Sequence, residues 1–265
     1  MALNSKKTKY ILFQVPNSCK NNKFELKLGG EILSRVSPVN AEEKFVKLVG
    51  VALDENLSFK HHVKQIKIKL NRANFILAKS GKFLTQEIRV LVYNTLVKSV
   101  LEFSSWVYGN SGKSIIDELF RLQKKIVRNV MGVRRRVHTN SLFIKLGFLK
   151  LSDLIEYNTR VIGWKIWYGK APENLSEGYE KASLARKTRS SNEQNFKIPF
   201  CKKEKLKVAS CYSVTKCWNN IDRDTKKIEK LGKFKRKLVS QYFDSYSREK
   251  PCNIKNCYAC SLAVR

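Results

Sequence analysis

Few side chains in this 265-residue sequence stand at spacings that could support catalysis. Asp222 and Asp224 form a close acidic pair, flanked by Arg223 and Lys226, with no third carboxylate beside them. Two-metal chemistry needs enough carboxylates to hold both ions, so the pair matches it poorly. His61 and His62 adjoin at the start of a helix and, with His138, read as ordinary surface imidazoles. No Ser/His/Asp order suits a nucleophilic triad, and Gly29-Gly30 lacks the Gly-Lys-Ser/Thr that completes a phosphate loop. Cys252, Cys257 and Cys260 supply three thiolates at the near half of a zinc-knuckle spacing. Structural zinc takes four ligands, and Cys201, Cys211 or Cys217 would have to fold back to complete the set. Neither zinc nor any other cofactor is expected in this chain.

What the sequence supplies in quantity is positive charge. Lys and Arg number 53 against 22 Asp and Glu, a formal charge of +31. Such a chain repels itself unless a polyanion screens it, and nucleic acid is the first partner this implies. No transmembrane run and no exposed Trp/Phe-rich amphipathic tail points to a membrane. No leader-like apolar run follows Met1, and seven cysteines, an odd number, argue for reduced thiols inside a cell.

The charge is most ordered between Lys113 and Arg136. On a helix, Ile115, Leu119, Leu122, Ile126 and Val130 share one face, with Ile116 and Val127 at its flank. Arg121, Lys124, Lys125 and Arg128 share the opposite face. Ser114 with Asp117 reads as a capping box, Gly132 as the stop, and Arg134, Arg135 and Arg136 follow.

Other elements frame this helix. Residues 1–53 read as strands: Thr8 to Phe13, then Phe24 to Leu28 and Glu31 to Val36 around a Gly29-Gly30 hairpin turn. Phe45 to Leu53 reads as a fourth strand with a bulge at Gly50. From Asp54 the period becomes helical. Val63, Ile66, Leu70, Ala73 and Leu77 form a stripe opposite Lys64, Arg72 and Lys79, with Ile68 exposed and Gly81 as the stop. Gln86 to Phe103 is apolar nearly all round and reads as the buried centre of a bundle. A short helix near Ser141 to Leu146 and another from Leu151 to Tyr168, ended by Ala171-Pro172, follow. A basic loop at 181–207 leads to a smaller helical unit, with a last helix around Ile228 to Phe243. Phe59, Phe75, Phe83, Tyr93, Tyr108, Trp164, Trp167 and Tyr168 interleave with the cations, a composition that also suits a nucleic-acid surface. On the helices these rings are expected mostly in the core.

The fold class expected is α+β, mainly α: a small antiparallel sheet, a helical bundle, and a smaller helical C-terminal unit. The divisions expected are 1–53, 54–180, a basic region 181–250 and a Cys-containing tail 251–265.

In order and spacing these features resemble the C-terminal part of the reverse transcriptase of non-LTR, LINE-type, jockey-like retrotransposons. Leu3-Asn4 with Lys7-Thr8 is similar to the family's LNxxKT motif. Phe45 to Leu53 resembles its KYLGVxLD primer-grip segment, with Leu48-Val49 in place of Tyr-Leu. Asp54, Leu57, Ser58, Phe59, His62 and Val63 resemble the D..L.F..HI that opens the thumb. Phe103 to Gly109, Leu119 to Arg128, Leu146 to Leu151, Cys217 to Asn220 and Phe234 to Arg236 resemble the later Y…WG, LQ.K.LR, LG.LPL, WN.LP and FKR.L marks. The family's polymerase aspartates lie upstream of LNxxKT, and this sequence contains no Asp-Asp pair.

The resemblance implies an RNA-directed DNA polymerase, here reduced to the end of the palm, the thumb and the region after it. It implies template-primer RNA and DNA as partners, with the missing palm and fingers, a nuclear location, and Mg2+ only in a complete polymerase. It places Lys7 near nucleotide phosphates and the Leu48, Val49, Gly50 backbone at the primer end. Lys47, Lys64, Arg72, Lys79, Arg121, Lys124, Lys125, Arg128, Arg134, Arg135 and Arg136 become candidate phosphate ligands. A stand-alone or domesticated nucleic-acid binder without polymerase chemistry is the alternative. Strands lacking their palm would also leave an apolar face exposed.

Overall fold

Two hairpins and one parallel strand pair precede a body of helices. The computed structural model describes residues 4, 8–13, 25–36, 44–135, 137–182, 194–201 and 209–248. Lys7, Arg136, Cys252, Cys257 and Cys260 lie outside the described residues.

Strands β1 (Lys9–Ile11) and β4 (Ser34–Val36) pair in parallel, Lys9 opposite Ser34. Between them, β2 (Lys27–Leu28) and β3 (Glu31–Ile32) form the hairpin turned by Gly29-Gly30. The run read as one strand, Phe45 to Leu53, is instead a second hairpin: β5 (Val46–Leu48) pairs antiparallel with β6 (Val51–Leu53). Val49 and Gly50 turn it, with φ of 46° and 83°. Two successive positive φ values make a type I′ turn, whose twist suits a hairpin. Gly50 adopts this freely, whereas a β-branched Val does so only under strain. Phe13, Leu26, Ile32, Leu48 and Val49 remain exposed, so the strand segments do present apolar surface to solvent.

The helices are α1 (Lys60–Ser80), α2 (Gln86–Tyr93), a π turn (Asn94–Lys98), α3 (Ser99–Glu102), α4 (Ser105–Tyr108), α5 (Lys113–Met131), α6 (Asn140–Leu146), α7 (Leu151–Trp167), α8 (Glu173–Ser176), α9 (Ser210–Asn219), α10 (Arg223–Lys226) and α11 (Leu231–Arg248). The fold is α+β and mainly α, as the periodicities imply. One hydrophobic core runs from Val51 and Phe59 through α1, α5 and α7 to Trp218, Phe234 and Leu238.

The segment Gln86 to Phe103 is not the bundle's centre. Only Tyr93, Val97 and Leu101 are fully buried along it, while Ile88, Leu91 and Leu96 face solvent. The π turn lets one extra residue into the ladder and shifts the inward register, so apolar residues on the other sides find no partner. The centre is α7, against which α4, α5, α9 and α11 all pack. Gly163 allows that closeness: a Cβ there would sit 3.2 Å from the Cβ of Trp218. Helix α7 also ends before Ala171-Pro172, the expected stop, because Gly169 takes up φ 62° after Tyr168.

The C-terminal helices are tied in by polar clamps. Trp218 Nε1 donates to the Gln194 carbonyl at 2.7 Å. The Asn219 amide donates to Phe196 O and accepts from Phe196 N–H, each at 2.9 Å, as a neighbouring strand would. Buried Lys226 donates to Asn195 Oδ1 and Asn219 O.

Candidate nucleic-acid interface

The cations are positioned by how α1 and α5 lie together. Each buries one apolar stripe, and the buried stripes face the same core. Lys67 bridges to Glu118 at 2.8 Å, and Asn129 Nδ2 donates to Asn74 Oδ1 at 2.8 Å. These two contacts advance along both chains together, so the helices run side by side in the same direction. Their outer faces form one surface.

On that surface Lys64, Arg72 and Lys79 of α1 and Arg121 and Lys125 of α5 are exposed. Lys60, Lys69 and Lys82 are exposed as well. Sequence reasoning missed these three, although Lys60, one turn before Lys64, follows from the same helical period. Lys124 is half-buried, its ammonium 4.2 Å from the centre of the Phe120 ring.

Arg128 stands apart from the others. Its Nε donates to the Val137 carbonyl at 2.8 Å, fastening the loop after α5, and partial burial holds its basicity below the usual arginine range. Gly132 ends α5 in the left-handed region at φ 67°. Val133 N–H then bonds Arg128 O, closing a Schellman motif, and exposed Arg134 and Arg135 follow. At the other end, Gly112 rather than Ser114 caps the helix. Among the described residues no side chain bonds the free N–H groups there, α5 already beginning at Lys113.

Arg89 collects the far end of the surface. Its side chain lies 2.9 Å from where a Cβ would stand at Gly132 and 3.7 Å from that at Gly81. It therefore sits between the C-termini of α1 and α5, where both helix dipoles favour a cation.

The hairpin β5–β6 is held against the start of α1. Asp54 accepts from Ser58 N–H at 3.1 Å and Phe59 N–H at 3.0 Å, organising the loop into the helix. Glu55 pairs with Arg35 of β4. His62, read as a surface residue, is buried: its Nδ1 accepts from Ala52 N–H at 3.4 Å, and its ring meets Tyr108 edge-on. Burial, with a smaller contribution from Lys69, holds its pKa below the ordinary 6.5. His61 is half-buried and stacks on Phe45. Lys47 is exposed on β5, and Leu48, Val49 and Gly50 are exposed at its tip, with the Phe103 ring 3.3 Å from the Cβ position of Gly50.

Carboxylates are committed elsewhere. Asp222 caps α10 through Thr225 N–H and accepts from Gln241, Asp153 accepts from the Tyr246 hydroxyl, and Asp224 sits 3.5 Å from Lys227. Among the described residues no group of three or more His, Cys, Asp or Glu gathers at metal-binding distance. Among the described residues these acids stand apart from one another and do not gather to hold a pair of Mg2+ ions. Among the same residues, no helix is long and apolar enough to cross a membrane.

Fold and surface together define a mainly helical α+β protein in which two neighbouring helices turn cations outward. The RNA-directed DNA polymerase from mobile element jockey of Drosophila funebris is 26% identical to it over 113 residues, 41% of this chain. Its counterpart in Drosophila melanogaster is 27% identical over 114 residues, 42% of this chain. Each match spans 12% of the relative's own length. No family model matches the chain, and no solved structure matches it. The chain thus carries a region of non-LTR, jockey-like reverse-transcriptase sequence.

Proposed function

We propose that this chain is the part of a non-LTR retrotransposon reverse transcriptase that grips template and primer, and that it lacks the aspartates of nucleotidyl transfer. The observation that carries the reading is the shared outer face of α1 and α5, with Lys64, Arg72, Lys79, Arg121 and Lys125 exposed along it. Its relatedness to jockey polymerases supports the same reading. Phosphate contacts from such a face fix the position of a duplex without reading its bases. The tip at Leu48, Val49 and Gly50 would lie against the primer end, and the exposed apolar strand surface would be covered by the rest of the polymerase. Template-primer RNA and DNA are the partners, and the nucleus is the place where they meet. Mg2+ belongs to the complete polymerase.

Two assays test this together. The purified chain binds a template-primer duplex, and it extends no primer when Mg2+ and nucleotides are supplied. Robust extension would contradict the assignment, as would a failure to bind the duplex at low salt.

A further inference from the structure

Two phenylalanines, one on α1 and one just past its end, are turned largely to solvent. Phe75 is 63% exposed and Phe83 is 87% exposed. Among the described residues neither ring meets another aromatic ring or a cation. This separates them from Phe59, Tyr93, Tyr108 and Trp164, which are buried as core residues should be. A large ring left in water on a charged helix is costly to maintain without a partner.

Their setting is regular. Lys64, Ile68, Arg72, Phe75 and Lys79 recur at intervals of four, four, three and four residues, which is a single ridge on a helix. All five are exposed. Along this ridge a cation alternates with an apolar or aromatic side chain, one step every 4.5–6 Å or about that. Past the end of α1, exposed Lys82 and Phe83 add another cation and ring, the turn being held by Phe83 N–H on Ser80 O at 2.9 Å.

A paired duplex cannot use such a ridge fully. Its phosphates are outside, but its base faces are covered by their neighbours in the stack. An unpaired strand offers both groups at once: phosphates for the cations and free base faces for the rings. An apolar protein partner would satisfy the rings but would have to bury Lys64, Arg72 and Lys79 beside them. We infer that the exposed ridge of α1, with Phe83 beyond it, is a stacking platform for unpaired nucleic acid. This rests on the proposed nucleic-acid-gripping function and adds the substrate form: a single-stranded segment, on α1 rather than on α5.

The test uses the full chain and two probes, a single strand of about 16 nucleotides and its perfectly paired duplex. The double variant F75A/F83A is expected to lose roughly ten-fold or more in affinity for the single strand. Its duplex affinity and the salt slope of both should stay as in the parent, and thermal unfolding should be unchanged because both rings are exposed. Phe75→Trp should retain single-strand affinity. Undiminished single-strand binding by F75A/F83A overturns the inference alone and leaves duplex gripping intact. Equal losses on both probes also overturn it, as does a variant whose only change is reduced self-association. A parent chain that binds neither probe overturns the inference and the proposed function together.

Discussion

Gln123 donates a hydrogen bond of 2.9 Å to the Tyr93 hydroxyl from a position with no solvent exposure. The same amide nitrogen donates to Leu149 O at 3.0 Å, and its Oε1 accepts from Leu151 N–H at 2.9 Å. One side chain thus joins α5 to α2 and to the start of α7. The Tyr93 ring stacks on Phe148, centroids 3.9 Å apart, and burial pushes the Tyr93 hydroxyl pKa well up. The glutamine of the stretch resembling LQ.K.LR is a structural knot, while its cations face outward.

Gln123→Ala should therefore destabilise the fold by about 3 kcal/mol. It strands a buried hydroxyl, a carbonyl and an N–H at once. Denaturant unfolding measures this, and a loss within experimental error of zero would contradict the knot.

How much of this could be read in the sequence follows from what each signal depends on. The inward stripes of α1 and α5 were legible because Val63 to Leu77 and Leu119 to Val130 repeat at three and four, and the core rewards that period directly. Gln123 was not legible, since a polar residue beside such a stripe looks like its solvent edge. His62 was misread for the same reason. Gln86 to Phe103 looked central because apolar residues surround it, and nothing in composition announces the π turn that leaves Leu91 and Leu96 outside. The β5–β6 turn was hidden because Val49 stands where Asn or Gly would normally signal it. The cation face of α5 was visible as a pattern, but only packing separates Arg128 from Lys125.

Those two residues should part in experiment. Arg128→Ala is expected to cost about 1.5 kcal/mol of stability, because a charge-assisted bond to Val137 O is lost. Lys125→Ala is exposed and should leave stability within about 0.5 kcal/mol of the parent. Thermal melts of both variants decide this, and equal melting temperatures would refute the distinct role given to Arg128.

His62 gives the fold a pH dependence of fixed sign. Its folded pKa lies below 6.5, so both states are neutral above that value and stability there does not depend on His62. Below pH 6.5 the unfolded chain takes up a proton that the folded chain refuses. Stability then falls toward the folded pKa, by at most about 1.4 kcal/mol per pH unit. His62→Asn should remove this contribution from unfolding curves taken between pH 7 and 5 or thereabouts. A parent and variant with the same pH slope would contradict it.

The central claim is that the outer face of α1 and α5 grips phosphates. The direct measurement is duplex affinity across a salt series for the parent and for a variant with Lys64, Arg72, Lys79, Arg121 and Lys125 all changed to Ala. The slope of log affinity against log salt should flatten by about one unit for each phosphate contact removed. An unchanged slope with retained binding would place the nucleic acid on another surface and contradict the account.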